Sequence, residues 1–453
     1  MCCPFSRFLV RALLVLPLAA IASNADPGSS RSAAAQDAGL EWPQWRGPRR
    51  DGHLAGKPWP ATLDRDTFAK QWRVELEGPS FSGPIVAGDR VFVTLTRDEK
   101  TEHVIALDRT TGRKLWETSW EGAMEVVPIG ASAGSWIRST PATDGTNLYV
   151  LGMRDVLVAL DVATGKEQWR LDFVKEYQSP VPDFGGVSSP MLLGDHLFVQ
   201  AGSGLVKVEK RTGKLVWRVL EKGPGKSGNG AFASPYAAKI GGAERIFVQT
   251  REELVCVDPV NGDVIWKMRI PSIFGMNIFT PTVYKDAVLT STIAGTFLVA
   301  ADPVVKPAAD PDAGGGVAKA AGEMLWKNVL QGYMSSPILI GDHAYIHLRN
   351  QRVACVNLAD GKRTWTSKPL AAYLSMVAQG DKILALGDDG VLRLFAANPE
   401  VETRLGEVSL LPPGTDDSSW AHLAVAGEQC FVRDLTGVTA YRWTEDAVRG
   451  RND

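Results

Sequence analysis

Charge of one sign is missing from this sequence. Its 453 residues carry 49 basic and 51 acidic side chains, a formal net charge of −2, with no run of either sign. The electrostatic footprint of a nucleic-acid binder is therefore absent, and partners chosen by bulk charge are excluded. Cysteine is scarce as well: of five, Cys2 and Cys3 stand at the very start. The remaining Cys256, Cys355 and Cys430 are odd in number, which argues against a disulfide framework. They read as buried free thiols acting as small hydrophobes. Long apolar runs are lacking too. The stretch Ala12–Ala22 spans 11 residues, short of the ~18–20 that a bilayer demands. With Arg7 and Arg11 before it and small residues after it, this stretch reads as an export signal over 1–25. The mature chain is then expected to lack a transmembrane segment and to be periplasmic or secreted.

What is present is a repeat. ALDRTTGRKLW (106–116), ALDVATGKEQW (159–169), VEKRTGKLVW (208–217), VDPVNGDVIW (257–266) and VNLADGKRTW (356–365) share one pattern. Trp72, Trp116, Trp169, Trp217, Trp266, Trp326 and Trp365 close its copies, spaced 44, 53, 48, 49, 60 and 39 residues apart. The spacing of 60 contains a Pro/Ala/Gly-rich insert between Asp302 and Gly322. In phase with the tryptophans run eight short turns, from Gly88-Asp89 to Gly427-Glu428, each ahead of a β-rich run such as RVFV or HLFV. Such turns mark hairpins, since Gly and Asp accept positive φ cheaply. Within the repeat, Gly closes a tight turn and the Asp carboxylate accepts from the turn's backbone N–H groups. Four strands per ~40–50 residues is the signature of a propeller blade. One indole per blade then supplies the wedge between neighbours. The fold class expected is all-β: an eight-bladed propeller of four-stranded antiparallel blades, closed by an N-terminal strand, 68–76, that lacks its own hairpin. The organisation expected is signal 1–25, spacer and WPQWRG flap 26–64, propeller 65–445 and tail 446–453. Blade seven has lost both Thr-Gly and Trp, and is expected to be the least regular.

The A-x-D-x-x-T-G-x-x-x-W string resembles the tryptophan-docking motif of the quinoprotein-type, PQQ-like repeat propellers. That family includes PQQ-dependent alcohol dehydrogenases, the outer-membrane-protein assembly factor BamB and uncharacterised bacterial propellers. For an enzyme, the resemblance implies PQQ stacked between a Trp and a vicinal disulfide, with Ca²⁺ held by Glu, Asn and Asp. The only adjacent cysteines here are Cys2-Cys3, inside the export signal. No C-x-x-C-H haem site is present, and DPDAGGG (310–316) lacks the order of a calcium loop. His343 and His347 are four apart on a strand, which gives no helical metal-binding face. No cofactor, no metal and no catalytic residue are therefore expected. PQQ and Ca²⁺ stand only under the alternative of a divergent dehydrogenase, beside a further alternative of a small-molecule or glycan binder.

The expected role is a non-catalytic exported scaffold, a monomer binding an envelope protein or peptide. Before the first strand of most blades stands a small hydroxyl cluster and a Pro: SGP (82–84), STP (139–141), SSP (188–190), ASP (233–235), FTP (279–281) and SSP (335–337). These predict a ring of Ser and Thr at one mouth of the channel, where Pro tolerates a strand's first position. Aromatic loops enter there, so the candidate binding residues are Trp136, Arg138, Phe184, Phe232, Phe274, Phe279, Tyr333 and Met334. The segment WPQWRGPRRDG (42–52) reads either as a flap packed on the ring or, through Arg46, Arg49 and Arg50, as an anion clamp.

Overall fold

The computed structural model describes residues 42–221, 230–272, 275–302, 320–332, 334–411 and 420–444. The export signal, the spacer up to residue 41, the insert around 310–316 and the tail lie outside the described residues.

Local turns come first. Gly88, Gly194, Gly341 and Gly380 all sit near φ +57°, and each joins the two inner strands of a blade. In the repeat turn, Asp108 Oδ1 accepts from Thr110 N (3.1 Å), Thr111 N (2.8 Å) and Thr111 Oγ1 (2.7 Å), as the sequence implies. The described residues build eight sheets, each on four antiparallel strands that follow chain order in blades one to seven, arranged as an eight-bladed propeller. Blade one comprises Ile85–Ala87, Arg90–Arg97, Thr101–Asp108 and Lys114–Glu121. The inner strands of blades two to seven are Ala142–Thr143, Met191–Leu193, Tyr236–Ile240, Thr282–Tyr284, Ile338–Ile340 and Leu374–Gln379. Blade eight is built from both ends of the ring: Ala424–Ala426, Gln429–Arg433 and Gly437–Trp443 pair with Phe68–Glu75 as the outer strand. Arg73 of that outer strand grips Asp434 through two bonds, 2.6 and 3.2 Å.

The tryptophan motif works differently from a plain wedge. Only Trp72 and Trp266 are buried; the other five docking indoles are half-buried. Six of the seven donate from Nε1 to a carbonyl of the next blade's turn at 2.8–3.0 Å. Trp217 Nε1 is the exception and has no partner. The ring also lies over the next blade's turn glycine. A Cβ on Gly165 (φ +72°) would sit 2.5 Å from the Trp116 ring, and one on Gly213 would sit 2.6 Å from the Trp169 ring. Thus Gly and Trp of successive repeats are partners, and the repeat copies itself because each copy seats the previous one.

The expectation that blade seven is the least regular is not met. Blade seven is a full four-stranded sheet despite its lost motif. Leu63 bridges to Gly406 of its outer strand, and Trp59 and Leu63 pack in one cluster with Leu394 and Val408. The N-terminal segment covers the place that the missing indole leaves. Blade four instead gains a fifth, parallel strand, Ala320–Ala321, along Trp266-Lys267. Cys256, Cys355 and Cys430 are free and buried.

Residues 42–54 form a hub that touches every blade. Trp42 exchanges backbone bonds with Val86 of blade one (2.9 and 2.8 Å), and Pro43 O accepts from Thr143 N of blade two (2.8 Å). Gln44 Oε1 accepts from Leu192 N of blade three (3.3 Å). The Arg50 guanidinium donates to the carbonyls of Ser189 (3.1 Å), Pro190 (2.7 Å) and Pro235 (3.1 Å), at the starts of blades three and four. Arg46 donates to Thr282 Oγ1 of blade five (3.4 Å) and to Pro337 O ahead of blade six. Leu54 N donates to Ala378 O of blade seven (2.8 Å), and the Trp45 ring meets His422, ahead of blade eight, edge-on at 5.8 Å. Arg46 and Arg50 are 0% and 2% exposed. Their role is settled by their partners: they clamp carbonyls of the ring itself. Arg49 is exposed and pairs with Asp51 at 2.9 Å.

Candidate functional site

The Ser/Thr-Pro clusters meet as a belt, as their position before each inner strand predicts. Gly83 N donates to Thr140 Oγ1 (3.0 Å), Thr140 N to Ser189 Oγ (3.0 Å), Ser189 N to Ser234 Oγ (2.9 Å) and Ser234 N to Thr280 Oγ1 (3.3 Å). Each hydroxyl oxygen takes the backbone N–H of the blade before it, so the belt stitches blade to blade. Beyond the belt, at the loop face, lies a cavity of about 320 Å³. Trp45 from the hub lies at its lining beside all four belt hydroxyls.

Its walls are aromatic and thioether. Tyr373 stacks on Trp420 (6.2 Å), Trp420 on Phe81 (5.1 Å), and Phe184 tilts against Phe232 (5.2 Å); Met276 and Met334 complete the lining. Arg138 enters from the side, donating to Gly134 O (2.5 Å) and Trp136 O (3.3 Å), and burial lowers its pKa to about 10. Burial lowers Arg46 to about 10; burial and then the Arg46 charge lower Arg50 to about 9. Both remain cations at neutral pH. Burial, aided by the Arg46 charge, drops His422 to about 3, so its ring stays neutral. Among the described residues no Asp or Glu lines the cavity.

Of the residues expected to bind, Arg138, Phe184, Phe232 and Met334 converge on this cavity. Trp136 stands behind the wall, edge-on to Phe81 at 5.3 Å. Phe279 is fully buried among Leu289, Leu298 and Ile346, and takes no part in the mouth. Phe274 and Tyr333 lie outside the described residues. Sequence reasoning missed Trp45, Phe81, Tyr373 and Trp420. They come from four separate places along the chain, and only the closed ring brings them together.

Cofactor chemistry needs a test against these residues. A flat, acidic ring system fits an aromatic-walled cavity that presents hydroxyls and Arg138. A carboxylate-ligated cation does not fit. Among the described residues the cavity lining holds no carboxylate, and no group of three His, Cys, Asp or Glu comes together. No helix among the described residues is long and apolar enough to cross a membrane.

Known proteins bear on this geometry. A polyvinylalcohol dehydrogenase of Sphingopyxis sp. (strain 113P3) is 26% identical over 193 residues, 39% of this chain; the match spans 28% of that relative's own length. BamB from Moraxella catarrhalis shares the fold at TM-score 0.56 and 14% identity, over 84% of this chain and 98% of that one. The quinohemoprotein alcohol dehydrogenase from Comamonas testosteroni shares it at TM-score 0.64 and 13% identity, over 95% and 83%. The expectation of no cofactor is corrected here: a dehydrogenase stands among the sequence relatives, and a quinohemoprotein and a europium-containing dehydrogenase stand among the fold neighbours. Residues 60–133 and 100–367 match the family described as outer membrane protein assembly factor BamB, and with most of the ring inside that match the chain belongs to this family of PQQ-like repeat propellers.

Proposed function

We propose that this chain is an envelope propeller that binds a protein or peptide partner through its loop face, anchoring it in the aromatic cavity. The observation that carries this reading is the cavity itself, with Trp45, Phe81, Phe184, Phe232 and Trp420 in its lining at the loop ends of the ring. Half-open cavities of a few hundred Å³ with aromatic walls and a few placed polar groups are the usual form of a ligand site. Export through the 1–25 segment places the partner in the periplasm or outside the cell. The test is equilibrium binding of peptides drawn from envelope proteins, read by the fluorescence of Trp45 and Trp420. Phe232→Ala and Phe184→Ala should weaken binding about tenfold or more without lowering thermal stability. Binding unchanged by both substitutions would remove the cavity from the reading.

A second reading is favoured by the dehydrogenase relative together with the PQQ-like repeat: a quinone cofactor of the PQQ class in the same cavity. Trp45 and Phe232 would flank its ring and Arg138 would hold a carboxylate. When bound, such a group supplies the acceptor for hydride from an alcohol. Saturable, stoichiometric uptake of PQQ by the purified protein distinguishes this reading from the first.

A further inference from the structure

The belt hydroxyls leave a chemical signature. Thr140, Ser189, Ser234 and Thr280 are 1–4% exposed, and each oxygen already accepts a backbone N–H. None of the four donates its own proton to any described residue, and all four line the cavity. A buried O–H without an acceptor is costly, and a convergent set of them asks for a ligand that accepts. Tyr373, a fifth hydroxyl in the lining, is kept protonated by burial and adds another donor. Arg138 supplies a cation, and the Arg46 and Arg50 guanidiniums lie behind Trp45, 5.7 and 5.4 Å from its ring. Among the described residues no lining carboxylate competes with an anion.

Resting on the partner-binding reading above, we infer that the cavity takes the C-terminal carboxylate of a peptide whose last side chain is apolar and flat. The geometry selects a chain end. Trp45 of the hub stands in the lining beside the belt hydroxyls, and a chain terminus brings a carboxylate to them without a further segment having to pass it. A carboxylate offers up to four lone-pair sites to the hydroxyls and to Arg138, and charge-assisted bonds of this kind are about twice as strong as neutral ones. The terminal side chain lies against Phe184, Phe232 and Trp420, where aromatic stacking and burial hold it.

The experiment is calorimetric titration of the full chain with Ala-Ala-Phe as free acid, with its C-terminal amide, and with hydrocinnamate as a free acid without peptide. The acid should bind about tenfold or more tighter than the amide. Arg138→Gln should shrink that ratio to about threefold or less while the melting curve is unchanged; because Arg138 donates only to two loop carbonyls, the ring folds without it. Equal affinity for acid and amide overturns the inference, and if Phe232→Ala still weakens both, the partner-binding reading survives alone. Hydrocinnamate binding as tightly as the peptide overturns the peptide source in favour of a free acid. If no peptide binds and PQQ does, both the inference and the reading beneath it fall together.

Discussion

The hub and the mouth cavity share one axis and many residue types, yet they end in opposite chemical states. In the hub, the guanidiniums of Arg46 and Arg50 reach carbonyls of blades that are far apart in sequence, and the charges are locked in place. One step along the axis, the hydroxyls of Thr140, Ser189, Ser234 and Thr280 have their oxygens occupied and their protons unassigned. The difference separates structure from function without any appeal to residue type. A polar group whose partners are all supplied by the fold stabilises it; one left with a spare donor facing a cavity is available to a ligand.

The sharpest way to break this comparison is at the hub. Arg50→Ala strands three carbonyls and should lower stability by about 3–5 kcal/mol in denaturant unfolding. Arg50→Lys should recover less than half of that, because a point charge does not span three acceptors set out for a planar fork. Next comes the docking row. Trp266→Ala, at a fully buried indole bonded to Ala301 O, should cost about 3–5 kcal/mol. Trp217→Ala should cost about 1 kcal/mol less, since its indole N–H already lacks a partner.

A smaller effect is tied to pH. Asp155 is fully buried, and burial raises its pKa to about 7 against the bond it accepts from Gly202 N (2.6 Å). In the unfolded chain it ionises near ~4, so between about pH 4 and pH 7 only the folded state holds the proton. Stability from this group is therefore greatest below pH ~4, falls as pH rises to about 7, and is level above it. Asp155→Asn keeps the acceptor and removes the titration. Measured from pH 5 to pH 8, the variant should gain about 2–3 kcal/mol relative to the natural chain. Gly165→Ala, at φ +72° under the Trp116 ring, should cost about 1–3 kcal/mol. Smallest of all, Arg138→Gln at the mouth should shift stability by less than about 0.5–1 kcal/mol. A large loss there would erase the contrast on which the comparison rests.

How much of this was legible follows from what repeats. The blade count, the hairpins and the hydroxyl belt recur in phase, so one copy explains the others. The hub occurs once, and its partners are main-chain carbonyls from Ser189 to Pro337, which carry no side-chain signal. Arginines in WPQWRGPRRDG therefore read equally as clamp or flap. Phe279 reads as a mouth residue because it sits next to the belt, but its side chain lies in the core with Leu289 and Ile346. The indole's hold on the next turn glycine was half-visible: both residues were evident, though not that they belong to different blades' contacts. The blade-seven motif was lost without loss of the sheet because Trp59 and Leu63, far upstream, cover the gap.

Because the outer strand of the last blade is Phe68–Glu75 and its partner runs to Trp443, the earliest part of the ring to be synthesised waits for the latest. Until Gly437–Trp443 emerges, that strand offers an unsatisfied row of amides, although the carbonyls that Arg50 and Arg46 clamp, from Ser189 to Pro337, are already made. Such distant pairing makes for slow, high-contact-order maturation, with a vulnerable interval in which an open arc exists before the circle.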